Sequence, residues 1–113
     1  MISDKDTNTI YFSELLRTDS RFIETSKQII STLDTFGAKY KFLPDTKDIW
    51  ARDYMPIQIN DKKFIEYSYD PDYLQGNWKG SRDLKTYPDI VCDSINLPTE
   101  KYDLIMDGGN FVK

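Results

Sequence analysis

Between Asp19 and Gly37 the apolar positions recur at helical spacing. Phe22, Ser26, Ile29, Leu33 and Phe36 share one face, and Ile23 and Ile30 widen the stripe. Glu24, Lys27, Gln28 and Asp34 occupy the other face, so the segment predicts an amphipathic helix lying on a flat surface. Asp19 or Ser20 can cap its start, and Gly37 stands where a glycine commonly follows a helix. The period then drops to two. Tyr40 and Phe42 alternate with Lys39 and Lys41, which predicts a strand over Ala38 to Leu43. Pro44-Asp45-Thr46-Lys47-Asp48 reads as a turn. Tyr54 to Ile59 and Lys63 to Tyr69 read as two strands joined by Asn60-Asp61-Lys62, a suitable hairpin loop. Pro88 to Ile95 predicts a short helix with Pro88 in its first turn, Ile90, Val91 and Ile95 on one side, and Pro98 beyond its end. Tyr102 to Met106 reads as a buried strand. Ile10 to Leu16 fits either a short strand or an approach loop, and the polar residues 1–8 read as disordered. The order, (β)αβ-ββ-αβ, predicts a mixed α/β fold in one domain spanning 1–113.

Composition supports a folded chain. Of 113 residues, 39 % are hydrophobic and 14 % aromatic, which is enough to fill a modest core. Net charge is −4, and no stripe of lysines interleaved with aromatics occurs, which argues against nucleic acid as a partner. The longest uncharged apolar run falls short of the roughly 18 residues that a membrane span requires. The N-terminus is polar and has no signal-peptide core, so the chain reads as cytoplasmic. Cys92 is the only cysteine and histidine is absent, so there is no intrachain disulfide, no thiolate-rich metal site and no imidazole base. Cys92 itself lies among Ile90, Val91 and Ile95, where a free cysteine acts as a small buried hydrophobe.

Two polar clusters interrupt the apolar runs. In Asp48-Ile49-Trp50-Ala51-Arg52-Asp53-Tyr54-Met55-Pro56, a cation, an aromatic and two carboxylates fall in a stretch that should be buried. Buried charge is costly unless paired, so such a run needs a reason. A carboxylate accepting in the plane of a guanidinium, with an indole over its face, would hold that group well, and Asp53 and Trp50 offer these. Strand alternation would put Trp50 and Arg52 on one face and Ala51 and Asp53 on the other. The plainer reading is an internal Arg52–Asp ion pair beside a core tryptophan. Asp48 and Asp45 fit turn roles. The second cluster, Asp107-Gly108-Gly109-Asn110, follows the Tyr102–Met106 run, and its glycines permit either a hairpin turn or close approach of another backbone or a ligand. Gly76-Asn77-Trp78 suits either a lid or a solvated loop with one anchoring tryptophan.

In order, Asp48-x-Trp50-x-Arg52-Asp53-x-x-Pro56 and Asp107-Gly108-Gly109-Asn110 resemble two signatures of the agmatine deiminases and porphyromonas-type peptidyl-arginine deiminases. The resemblance covers most of the chain. It implies an α/β fold of the pentein type, here an incomplete α/β-propeller of about two ββαβ modules. It implies hydrolysis of a guanidinium to a ureido group with release of ammonia, using no metal or organic cofactor. By the same resemblance Trp50, Asp53, Asp107, Asn110 and Asp48 would contact a small guanidinium substrate, agmatine or an arginine side chain, while Arg52, Gly108 and Gly109 would shape the site. The acidic residues near Trp50 lean toward agmatine, whose far end is an amine.

The sequence departs from that family in its chemistry. Family enzymes use a late cysteine nucleophile and a His-x-Asp pair; Cys92 does not match the nucleophile's position, and there is no histidine. The expectation is therefore the N-terminal portion of a deiminase, inactive alone. A non-catalytic cation-binding or subunit-assembly module is the alternative, since an incomplete propeller leaves strand edges open to self-association or a complementary chain. An unrelated α/β domain with coincidental motifs is the third.

Overall fold

The structure is a computed structural model and describes residues 4–76, 78–106 and 108. Nine helices and strands are used here: β1 Ile10–Ser13, α1 Leu15–Thr18, α2 Ile23–Thr35, β2 Tyr40–Leu43, α3 Ala51–Tyr54, β3 Ile57–Asn60, β4 Lys63–Ser68, α4 Pro88–Ser94 and β5 Glu100–Ile105. Short 3-10 turns lie at Asp4–Asp6, Asp72–Leu74 and Ser81–Leu84. The fold is mixed α/β. β1 and β2 pair in parallel, from Ile10 with Tyr40 to Ser13 with Leu43, and α1 and α2 connect them. The second sheet has the order β3-β4-β5. Its first pair is an antiparallel hairpin, and its second is parallel, with α4 in the connection and against β4.

Local chemistry accounts for most of these elements. Helix α2 ends in a Schellman motif: Ala38 N–H donates to the Leu33 carbonyl (3.0 Å) and Gly37 N–H to that of Asp34 (3.2 Å), with Gly37 at φ 66°. At the other end the cap position is Phe22, without a side-chain acceptor; Asp19 instead accepts the Arg21 N–H at 2.9 Å, one turn earlier than a cap would. In the β3–β4 hairpin the Asn60 side-chain oxygen accepts the N–H groups of Lys62 (2.9 Å) and Lys63 (3.0 Å), which closes the loop. Pro88 occupies the first turn of α4, where its missing N–H costs nothing.

Four expectations are corrected. Ala51–Tyr54 is a helical turn and not the start of a strand, which begins at Ile57. β5 forms where expected but every one of its residues is exposed, because no described element covers either face. In α4 the buried side chains are Pro88, Val91 and Cys92, while Ile90 is exposed. On α2 only Ser26 is fully buried, and Phe36 is 81 % exposed. The helix packs on α1, and its larger apolar residues stay half-buried.

The core is built from tyrosines. Tyr54, Tyr67, Tyr69 and Leu74 form a buried cluster flanked by Ala51, Met55, Ile57 and Met106. The Tyr54 and Tyr69 rings meet edge-on at 5.7 Å between centroids. Each buried phenol also brings a hydroxyl that must find a partner, and those partners fix the candidate site.

Candidate functional site

The site begins with an Asx turn. The Asp48 carboxylate accepts the Trp50 N–H at 2.9 Å, and Ala51 N–H donates to the Ile49 carbonyl at 3.0 Å. One helical turn follows, closed by Asp53 N–H on the Trp50 carbonyl (2.9 Å) and Met55 N–H on the Ala51 carbonyl (3.0 Å). Pro56 then stops it. Proline disfavours a helical conformation in the residue before it, and Met55 is extended at ψ 152°. A period of two therefore does not apply to Trp50–Asp53. Trp50 and Arg52 are exposed, Trp50 to 62 %, while Asp48 and Asp53 are half-buried.

Two tyrosines hold this turn from below. The Tyr54 hydroxyl donates to the Asp48 carbonyl at 2.8 Å, and the Tyr67 hydroxyl donates to the carbonyls of Asp53 (2.8 Å) and Met55 (3.1 Å). Around Tyr54 lies a buried set of hydroxyls. Ser13 and Thr46 hydrogen-bond at 2.5 Å, and the Thr86 oxygen accepts the Lys47 N–H at 2.8 Å. These contacts tie β1, the turn before the site and the loop before α4 to one point.

Burial pushes the Asp48 carboxyl above its ordinary range, against the lowering effect of the Trp50 N–H. The Tyr54 phenol is also raised, by burial first and then by the Asp48 charge. Tyr69 is raised by burial, by its hydrogen bond with Tyr73, and by the charges of both Asp48 and Asp53. Both carboxylates thus act on one buried ring.

Gly108 brings the second cluster to the first. It is buried, and a Cβ added there would run into the Arg52 carbonyl oxygen and the Tyr67 hydroxyl. Only glycine allows that approach. Asp107, Gly109 and Asn110 lie outside the described residues. Of the expected site residues, Asp48, Trp50, Arg52 and Asp53 therefore share one turn, with Gly108 against its backbone. Asp48 acts on that turn through its hydrogen bond to Trp50.

Sequence reasoning missed Tyr54, Tyr67, Ser13, Thr46 and Thr86. The sequence reads both Tyr54 and Tyr67 as strand positions, and nothing in their spacing marks a hydroxyl aimed at a carbonyl across the chain. The loop after β4 is anchored by Arg82, which reaches the Asp70 carboxylate at 2.8 Å and the Leu74 carbonyl at 3.0 Å. The Trp78 indole N–H donates to the Tyr73 carbonyl at 2.9 Å, in keeping with an anchoring tryptophan. Asn77 lies outside the described residues. Cys92 is buried, and burial, with smaller effects from Glu66, Asp93 and Asp89, pushes its thiol up to about 12. A thiol so raised is protonated at neutral pH and is a poor nucleophile. Among the described residues no cluster of three or more His, Cys, Asp or Glu is arranged to hold a metal, and no helix is long and apolar enough to cross a membrane.

No protein-family model, no curated protein and no solved structure matches this chain.

Proposed function

We propose that the chain is part of an agmatine or peptidyl-arginine deiminase-type hydrolase, of pentein-like propeller architecture, and contributes its guanidinium-binding side. The observation that carries this reading is Gly108 seated against the Arg52 carbonyl and the Tyr67 hydroxyl. Two motifs far apart in sequence meet there, beside half-buried Asp48 and Asp53 and exposed Trp50. Carboxylates beside an accessible indole suit a planar cation, which binds a carboxylate edge-on and an indole by its face. Asp53 would accept from the guanidinium nitrogens and Trp50 would wall the pocket. Asp48 would act through the turn, and Asp107 and Asn110 would complete the binding set. The chain by itself does not turn over substrate, because it has no histidine and its single thiol is buried and protonated.

The test is titration of the full chain with agmatine, read from the Trp50 indole resonance, with 1-aminobutane as the comparison lacking a guanidinium. Agmatine should move that resonance saturably, 1-aminobutane should not, and Asp53→Asn should abolish the response. Equal responses to both amines, or an unaltered Asp53→Asn, would overturn the binding assignment. Agmatine-dependent ammonia release by the pure chain would overturn the claim of inactivity.

A second reading, an assembly module, is favoured by β5. Tyr102, Leu104 and Ile105 are all exposed on it. Exposed apolar side chains on an edge strand favour association with another chain. Sedimentation as a monomer at every accessible concentration would count against self-association.

A further inference from the structure

We propose that a cavity apart from the Asp48–Asp53 turn is a binding site for a small organic cation with an apolar body. The cavity measures about 370 Å³ and lies between the N-terminal segment, the β3–β4 hairpin and the residues after α4. That size falls within the range of about 300–1,000 Å³ common for small-molecule sites. Its lining includes Tyr11, Phe64, Met55 and Leu97, together with the acidic residues Asp6 and Asp61. Met55 and Pro56, at the end of the Asp48–Pro56 motif, line it, but none of the proposed guanidinium-site residues Asp48, Trp50, Asp53 and Gly108 does, so the proposal stands apart from the guanidinium reading.

The lining selects the ligand class. Aromatic rings, a thioether and a leucine favour burial of an apolar body, and aromatic faces and thioethers also tolerate a nearby cation. Both charged groups in the wall are carboxylates, and among the described lining residues there is no lysine or arginine. Charges of one sign along a cleft raise the local concentration of the opposite ion. An anion of the same shape would meet repulsion and find no cationic partner among the described lining residues. The backbone around Asp61 is held in place. Asp61 occupies the tight hairpin loop whose backbone N–H groups at Lys62 and Lys63 are bound by the Asn60 side chain. Residues distant in sequence thus converge on one cavity, which explains why no single sequence motif marked it.

The probes are phenethylammonium and phenylacetate, which share a ring and near-equal size but carry opposite charge. Each is titrated into the full chain and followed by the amide resonances of Asp61, Phe64 and Leu97. Phenethylammonium should bind saturably and phenylacetate should not. Asp61→Asn should weaken phenethylammonium up to about fivefold, the scale of one exposed charge pair. Leu97→Lys, a change in the loop after α4, should abolish binding with the circular dichroism spectrum retained. Asp83→Asn removes the same charge at an exposed site outside the cavity and should leave binding unaltered. Comparable binding of phenylacetate would overturn the proposal. So would no saturable shift with phenethylammonium at millimolar concentration, or unchanged binding in both Asp61→Asn and Leu97→Lys.

Discussion

The Tyr67 hydroxyl donates to the backbone carbonyl of Asp53 at 2.8 Å, so a core residue of β4 determines where a candidate binding carboxylate sits. The same hydroxyl reaches the Met55 carbonyl and lies where a side chain at residue 108 would have to go. One buried phenol therefore joins the core, the turn and the second motif.

Tyr67→Phe removes that hydroxyl and keeps the ring. The carbonyls of Asp53 and Met55 lose a buried donor, which should cost roughly 1–3 kcal/mol. Urea unfolding should show the lower midpoint with an unchanged slope. Agmatine affinity should fall as well, because the Asp53 backbone is no longer held.

Gly108→Ala should be more damaging than its size suggests. The new methyl meets the Arg52 carbonyl, which is backbone and cannot swing aside. Overpacking of this kind costs roughly 1–3 kcal/mol. Denaturant titration of the variant checks the cost, and the Trp50 indole resonance should shift even without ligand. A neutral outcome would mean that the Gly108 contact is not kept in solution.

Asp70 and Asp48 should give stability opposite dependences on pH. Burial works to raise Asp70, but the Arg82 and Lys85 side chains outweigh it and hold its carboxyl below the ordinary range. A native value below the unfolded one means that the native state binds fewer protons. Its contribution is present above the ordinary carboxylate value, about 4, and is lost as pH falls through the native value. As a partly exposed pair it should amount to about 0.2–1 kcal/mol. Asp48 is raised by burial, so the native state keeps its proton where the unfolded state has lost it. Stability is then lost as pH rises from the ordinary value through the native one. Asp70→Asn should remove the loss on the acid side. Asp48→Asn, which retains an acceptor for the Trp50 N–H, should flatten the decline above it. Urea midpoints between about pH 3 and pH 7 test both.

Cys92 should be inert in the folded chain. Its thiol is buried and pushed up to about 12. Iodoacetamide at about pH 8 should label it only after unfolding in urea, since the thiolate is the reacting species. Cys92→Ala should cost about 1 kcal/mol and leave agmatine binding unchanged. Rapid labelling of the native protein would contradict the buried placement.

What the sequence by itself determined is the set of elements whose signals are local. The stripe from Phe22 to Leu33 and the glycine at 37 specify α2 and its end. Alternation specifies β2, Asn60-Asp61-Lys62 closes the hairpin, and Pro88 starts α4. Each depends on residues within a few positions of one another, where periodicity and turn chemistry act directly. The tertiary structure decided the rest. Trp50–Asp53 reads equally well as a strand by alternation. It turns as a helix because the Asp48 side chain, Pro56 and the hydroxyls of Tyr54 and Tyr67 satisfy that backbone. Tyr102–Ile105 is apolar enough for a core, yet stays exposed because burial depends on what lies over a strand and not on the strand. Gly108 beside Arg52, and the cavity shared by Tyr11, Asp61 and Leu97, join residues distant along the chain. No local signal encodes such meetings, because they follow from how the two sheets and their helices pack.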